Sequence, residues 1–454
     1  MEDLITCKFG GTSLANACQV DKVRSIVESD ERRRYVVVSA PGKDGTDDEK
    51  VTDHLFNIAT GGKHFKDQHK DIPPHDSFSR VSGKFKKLVT DLGIEGSDIL
   101  KDLEADLRRD MPQEKRVDFI ASRGEHYNAK VITRYLQSKG FNASLRLPED
   151  IGIVVSEDFS DARVLPESYA RLKELRDADG IAVIPGYYGT TRSGDVAVFS
   201  RGGSDLTGGE VAYSIDSALY ENWTDTDGVY QVDPRLVPGA EVIPRLTYKE
   251  IRLLSSKGFD IFHFNAMINC KKRKIPIHIR NTNNPDSDGT LIVSERVPEE
   301  TAVGIARLDD VAYIYVEKDG LAEVIGATKD VLDILKEYSV HTYHYPTDKD
   351  DLAILVDQND LMGKADVIRE EIDKALCPDV LDMIYNISVI SPVGIGMKEN
   401  PGILAQAATA LKNENINIEI VDQGPAQISF HFGMQRYYAD DALSALYREL
   451  IARD

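Results

Sequence analysis

Lys8-Phe9-Gly10-Gly11-Thr12-Ser13 closes the apolar run Leu4–Phe9. Two glycines let a backbone bend toward an anion and aim amide N–H groups at it, while a lysine beside them neutralises phosphate as a point charge. Gly-Gly behind a strand is equally an ordinary tight turn, and the P-loop pattern GxxxxGK[ST] occurs nowhere in the chain. Ser39-Ala40-Pro41-Gly42 ends a second apolar run in a similar turn. Open α/β sheets bind ligands at the carboxyl ends of their strands, so two such turns can face one crevice. Arg201-Gly202-Gly203-Ser204-Asp205 ends a third run. Here Arg201 can fork onto a carboxylate, and Ser204 or Asp205 can cap a helix starting near Leu206.

Two further stretches carry acids. Ser122-Arg123-Gly124-Glu125 opens a helical pattern, placing Glu125 near a helix start, as a cap or as a partner for an ammonium group. The loop from Trp223 through Thr224, Asp225 and Tyr230 to Arg235 holds the only tryptophan among acids and hydroxyls. Acid-rich loops are equally solvated turns. No HExxH, no Ser–His–Asp order and no clustered Cys or His appears. His64, His69 and His75 lie in a polar stretch without acids at metal spacing, so no metal ligand is assigned. Two anion nests, a lysine, an arginine and carboxylates together suggest phosphate transfer to a small acid.

The elements that must position these residues alternate. Val20–Ser29 has helical spacing, Tyr35–Ala40 is β-branched, and Ile181–Ile184, Ala197–Ser200 and Ile275–Ile279 read as further strands. Continuous apolar runs with helices between them predict an α/β fold around a buried parallel sheet. Residues 42–50 and about 60–115 are polar and predict a surface loop and an exposed helical hairpin over that sheet. Past about residue 298 the pattern changes. A helix over Asp330–Tyr338 followed by a strand over Val340–Tyr345 recurs as Gly402–Glu414 followed by Ile416–Val421, an offset of 76 measured from Leu335 to Leu411. That predicts a tandem pair of small α+β modules.

The 454 residues suffice for two or three domains, with 41% hydrophobic and 29% charged residues. A net charge of −21 argues against nucleic acid or an anionic membrane as partner. No apolar stretch spans a bilayer, the first residues carry two acids, and Cys7, Cys18, Cys270 and Cys377 form no CxxC pair, which together predict a cytoplasmic protein with reduced thiols.

Taken together these strings resemble the aspartate kinases of the amino acid kinase superfamily, over nearly the whole chain. Lys8–Ser13 is similar to that family's KFGGTS, Val37–Ala40 with Gly42 to its VVSA-x-G, and Val51-Thr52-Asp53 to its substrate loop. Arg201–Asp205 reads as RGGSD, and Trp223–Arg235 resembles WTDVDGVYTADPR. Ser122–Glu125 matches the start of S-x-GERLSA, and His126-Tyr127-Asn128 depart from it. The last third resembles paired ACT modules, ferredoxin-like amino-acid sensors, with Ile416–Ile418 and Val421–Gly424 similar to NI…IDQG. The resemblance implies an amino acid kinase domain over 1–297, an inserted first ACT module over 312–384, and a second built from 298–311 and 385–454.

The implied reaction is phosphorylation of L-aspartate by MgATP to 4-phospho-L-aspartate, which opens lysine, threonine and methionine biosynthesis. By resemblance, Lys8, Gly10, Gly11 and Ser39 hold the β,γ-phosphates and Asp205 orients Lys8. Thr52, Glu125, Arg201 and Ser204 hold aspartate, with Glu125 at its amino group and Arg201 at its α-carboxylate. Thr224, Asp225, Tyr230 and Arg235 line the nucleotide site, and Mg²⁺ rides on the phosphates. The ACT pair implies lysine or threonine as effector and a homodimer or homotetramer. Asp260 stands where many members carry a phosphate lysine, with Lys257, Lys271 and Lys272 as possible replacements. Pro346-Thr347-Asp348-Lys349-Asp350 departs from an effector-site string, Pro-Ser-Gly-Ile-Asp. Two other readings follow from these departures and from the site chemistry: a non-catalytic amino-acid sensor, and a sister kinase for another small acid.

Overall fold

The computed structural model describes residues 3–45, 48–68, 70–200, 202–255 and 264–452. Its contacts divide it into two compact units. The first takes the described residues of Met1–Val229, Val242–Tyr248 and Asp260–Arg296, and the second those of Tyr230–Glu241, Lys249–Phe259 and Val297–Asp454.

The strands of the first unit are, in chain order, β1 (Ile5–Phe9), β2 (Arg33–Val38), β3 (Ala143–Leu145), β4 (Val154–Val155), β5 (Ile181–Pro185), β6 (Tyr188–Thr191), β7 (Val196–Val198), β8 (Leu219–Thr224), β9 (Arg245–Thr247), β10 (Ile277–Asn281) and β11 (Thr290–Val293). Eight of them form one sheet in the order β3-β5-β2-β1-β8-β10-β11-β9. All its neighbours run parallel except β10 and β11. A parallel sheet must be covered on both faces, which is why β1 is buried at every position. On one face Cys7, Phe9, Val36 and Val38 pack with helices Ala17–Glu28, Pro74–Leu92 and Gln113–Ser138. On the other, Tyr35, Val37 and Ile184 meet Val211 and Ile215 at helix Gly203–Ser214.

Two expectations change here. The run near residue 197 does not join the main sheet: β7 pairs antiparallel with β6 in a separate three-stranded sheet. The helical hairpin is not merely superficial. Pro74–Leu92 and Ser97–Leu107 send Val81, Phe85, Leu88, Ile99, Leu103 and Leu107 into the core. Their apolar stripes recur at helical spacing inside a polar composition, which the average polarity of the stretch concealed.

The second unit carries β12 (Gly304–Glu317), β13 (Thr342–His344), β14 (Asp351–Asp357), β15 (Val380–Val393), β16 (Ile420–Asp422) and β17 (His431–Gln435). They form one sheet in the order β13-β14-β12-β15-β17-β16. The long strands β12 and β15 run antiparallel through both halves, with Asp310 and Asn386 in left-handed conformation where their pairing shifts register. Helices Ala327–Glu337 and Ala365–Leu376 cover one half, and Ile403–Asn413 and Ala439–Leu450 the other. The first helices of the two halves begin at Ala327 and Ile403, matching the expected offset of 76. β13 and β16 are the two ends of the sheet order, yet Tyr343 and Ile420 pack into one apolar cluster with Val311, Leu355 and Ile387. The sheet therefore curls until its edges approach.

A buried network ties the centre of the first sheet. Arg33 grips Glu221 with two bonds of 2.7 and 3.0 Å, the Trp223 indole donates to the same carboxylate at 2.9 Å, and the Cys7 thiol reaches it at 3.3 Å. Burial pushes the Glu221 carboxyl up, but the Arg33 pair outweighs it and holds the group below its ordinary value. Removing one partner of such a pair strands a buried charge. Arg33→Met should destabilise the first unit by about 3–5 kcal/mol. Urea unfolding followed through fluorescence of the single tryptophan measures this, and an unchanged midpoint refutes it.

Candidate active site

Alternation along β1 sends Cys7 and Phe9 to one face of the sheet and Lys8 to the other, opposite Asn222 in register on β8. There Lys8 Nζ lies 2.6 Å from Asp205 Oδ1, and Asn222 Nδ2 donates to the same oxygen at 2.9 Å. Asp205 sits in the first turn of helix Gly203–Ser214, which begins earlier than the expected Leu206. Gly202 is the N-cap, at φ 78°, and neither Ser204 nor Asp205 caps the helix. Asp205 is committed to Lys8 instead, while the first-turn amides and the helix dipole favour an anion at that end.

The two glycine turns interlock. The Gly10 N–H donates to the Trp223 carbonyl at 3.0 Å, and the Gly42 N–H to the Gly11 carbonyl at 2.8 Å. A Cβ on Gly42 would lie 2.4 Å from the Gly11 carbonyl carbon, so only glycine fits there. Asn128, one of the residues departing from the family pattern, donates to the Ser39 carbonyl at 2.6 Å and so fixes the second turn. His126 meets the Tyr188 hydroxyl at 2.9 Å, and Tyr127 donates to Asp106 at 2.9 Å.

These turns border a cleft of about 730 Å³ within the first unit. It brings together Lys8, Gly11 and Ser39 with Thr52, Glu125, Ser204, Asp205 and Asp225. Gly10 does not line it, its N–H being bonded to the Trp223 carbonyl, and Thr224 donates to the Asp225 carboxylate at 3.2 Å. Arg201 and Asp260 lie outside the described residues, as does Lys257. Tyr230 and Arg235 belong to the second unit and do not line the cleft; the Arg235 guanidinium pairs with Asp233. Lys271 and Lys272 do not line it either, and Lys272 donates to Asn269.

Glu125 lies in the middle of helix Gln113–Ser138, not at a helix start, because the periodic pattern continues well upstream of Ser122. Gly124 lets the helix press against Ala40, where an added Cβ would come within 2.7 Å of the alanine side chain. Glu125 is thereby buried, with one carboxylate oxygen lacking a hydrogen-bond partner. Burial pushes its carboxyl up to about 8, against the opposing pull of the backbone hydrogen bonds at Ala40 and at Glu125 itself. An unpaired buried acid lining a cleft suits an ammonium group.

Among the lining residues that sequence reasoning missed are Lys43, Lys50, Ser160 and Tyr187. Lys43 follows Gly42 directly and Lys50 immediately precedes the Thr52 helix, so charge beside a nest was the signal for the first and charge beside the substrate-loop string for the second. Ser160 is held by Asp118, which accepts its N–H and hydroxyl at 2.8 and 2.9 Å. Tyr187 carries a left-handed φ of 78°. Nothing local in the sequence marks these last two.

The profile of the Amino acid kinase family matches residues 3–281, and that of the ACT domain residues 390–450. Aspartokinase 3 of Bacillus subtilis is 37% identical over 458 residues, spanning 98% of each chain. A crystal structure of Clostridium acetobutylicum aspartate kinase superimposes with a TM-score of 0.87 at 34% identity, covering 98% of this chain and 100% of that one. E. coli aspartokinase III, solved in complex with aspartate and ADP, shares the fold at a TM-score of 0.77 and 19% identity, covering 99% of this chain and 100% of that one.

The raised Glu125 carboxyl has a thermodynamic signature. Between its ordinary 4.5 and about 8 the folded protein keeps a proton that the unfolded chain releases, so this group lowers stability as pH rises through that interval. The slope is at most about 1.4 kcal/mol per pH unit. Glu125→Gln cannot ionise and should flatten the fall, gaining stability over the parent at pH 8 but not at pH 4.5. Urea unfolding at both pH values measures this, and equal pH slopes for the two proteins refute it.

Proposed function

The chain belongs to the amino acid kinase family and, within it, to the aspartokinases, and from that membership we infer how its cleft phosphorylates the β-carboxylate of L-aspartate at the expense of ATP. The observation that carries the reading is the Lys8–Asp205 pair, which shares one cleft with the unpaired Glu125 carboxylate. One end offers positive charge to phosphate and the other negative charge to an ammonium group.

A β-carboxylate is ionised at neutral pH and is already a nucleophile, so no general base is needed. Its oxygen attacks the γ-phosphorus, the bond to the β,γ-bridging oxygen breaks, and the electron pair leaves on ADP without proton transfer. Catalysis is then positioning and charge neutralisation. Lys8 neutralises the β,γ-phosphates, Asp205 and Asn222 hold it in place, and the Gly11 amide with Ser39 completes the nest, while the Gly10 N–H is spent on the Trp223 carbonyl and acts by holding the turn. Lys43 and Lys50 add the positive charge that Asp260 does not supply. Magnesium, carried by the phosphates, would add further neutralisation, and the exposed Asp225 carboxylate lining the cleft suits such a hard cation.

Glu125 takes the substrate ammonium, with Arg201 on the α-carboxylate and Thr52 and Ser204 beside it. The arriving cation favours the ionised form of Glu125, so aspartate binding near pH 7 releases a proton. An N-acylated substrate would leave Glu125 without its partner, which disfavours a kinase for such acids. Thr224 is proposed on the nucleotide side, next to Asp225. The ACT pair, with 312–384 inserted between 298–311 and 385–454, would bind lysine or threonine and join copies of the chain.

Lys8→Ala should reduce aspartate-dependent ADP release by about 10²-fold or more, the scale for losing one transition-state charge partner. Glu125→Gln should act mainly on KM for aspartate. Coupled assays with MgATP, with and without lysine and threonine, check both. Near-parental turnover in Lys8→Ala would overturn the role of Lys8, and folded parent protein without aspartate-dependent turnover would favour a sensor.

A further inference from the structure

The curl of the second sheet brings together three side chains that the phosphoryl-transfer reading does not use. Asp422 on β16 and His431 on β17 are direct cross-strand partners, so their side chains leave the same face. His344, from β13 at the opposite end of the sheet order, brings its Nδ1 to 2.9 Å from the Asp422 carboxylate. The two imidazole rings lie 4.4 Å apart, centre to centre. One potential ligand atom from each of the three residues falls within 4.8 Å of the others.

We propose that His344, Asp422 and His431 form a binding site for a divalent transition-metal ion of the zinc class, clamping the two edges of the curled sheet. Two imidazoles and one carboxylate are the borderline nitrogen and oxygen donors such an ion prefers, with water completing its shell. The support expected around a ligand imidazole is present: Ser391 bonds to His431 Nδ1 at 2.8 Å and fixes the ring. His431 is buried, whereas the His344 and Asp422 side chains keep 20% and 36% of their exposure, so an ion can enter from solvent and meet an anchored ligand. The clamp joins segments of the two halves that are 78 residues apart in sequence at their nearest, and binding would stiffen the seam between them.

The full-length protein, stripped with chelator, is titrated with Zn²⁺ against a chromophoric competitor. One equivalent should bind per chain and raise the thermal unfolding midpoint, and Co²⁺ should give the visible absorption of a low-coordinate site. His344→Ala and His431→Ala should each weaken zinc binding at least tenfold and remove the cobalt spectrum. Asp422→Asn, at a partly exposed position, tests the same site where a histidine variant fails to fold. Cys18 and Cys377 are exposed thiols and the obvious competing ligands, so the C18S/C377S double variant should retain binding. The proposal fails if the parent binds zinc no better than the His344→Ala/His431→Ala double variant, or if binding disappears in C18S/C377S.

Discussion

The ion pair between Lys8 and Asp205 is the constraint on which the cleft depends. It spans two elements far apart in sequence, and three conditions must hold together for it to form. β1 and β8 must pair in the register that sets Lys8 beside Asn222, the alternation of β1 must send its lysine away from Cys7 and Phe9, and Gly202 must turn the chain so that Asp205 enters the first helical turn. Between substrates, the pair keeps a nearly buried ammonium compensated and in one place. The positive charge of the cleft is therefore already organised before any ligand arrives.

The rest of the cleft follows from close approach. Gly11 and Gly42 bring two strand-end turns into direct contact, and Gly124 lets a long helix rest against Ala40 between them. That packing carries Glu125 out of water. The same absence of side chains thus shapes the glycine turns and raises the proton affinity of Glu125.

Much of this was legible in the chain. The Lys8, Ser39 and Asp205 turns announce themselves as glycine-rich ends of apolar runs, and the repeat in the last third showed through helices of matched spacing. Other features were not. Ser122–Glu125 suggests a helix start near Glu125, whereas the helix runs on from Gln113 and tertiary packing uses Gly124 for contact within it. β7 carried the same apolar signal as the central strands, and nothing in so short a run distinguishes a strand of the main sheet from one in a small neighbouring sheet. Ser160, held by Asp118 from another element, and the His344–Asp422–His431 group exist only because distant segments meet. Spacing rules describe neighbours along one element and are silent about such meetings.

The continuous strands of the second unit bear on how such a chain is assembled over evolutionary time. Val311 on β12 pairs directly with Ile387 on β15, so everything between them departs from and returns to adjacent backbone positions. A segment whose two ends already touch is a cassette: it can be gained, lost or exchanged without displacing the strands that receive it. The left-handed residues Asp310 and Asn386 mark that doorway. One half of the sheet can thus diversify its chemistry while the other continues to close around its own helices.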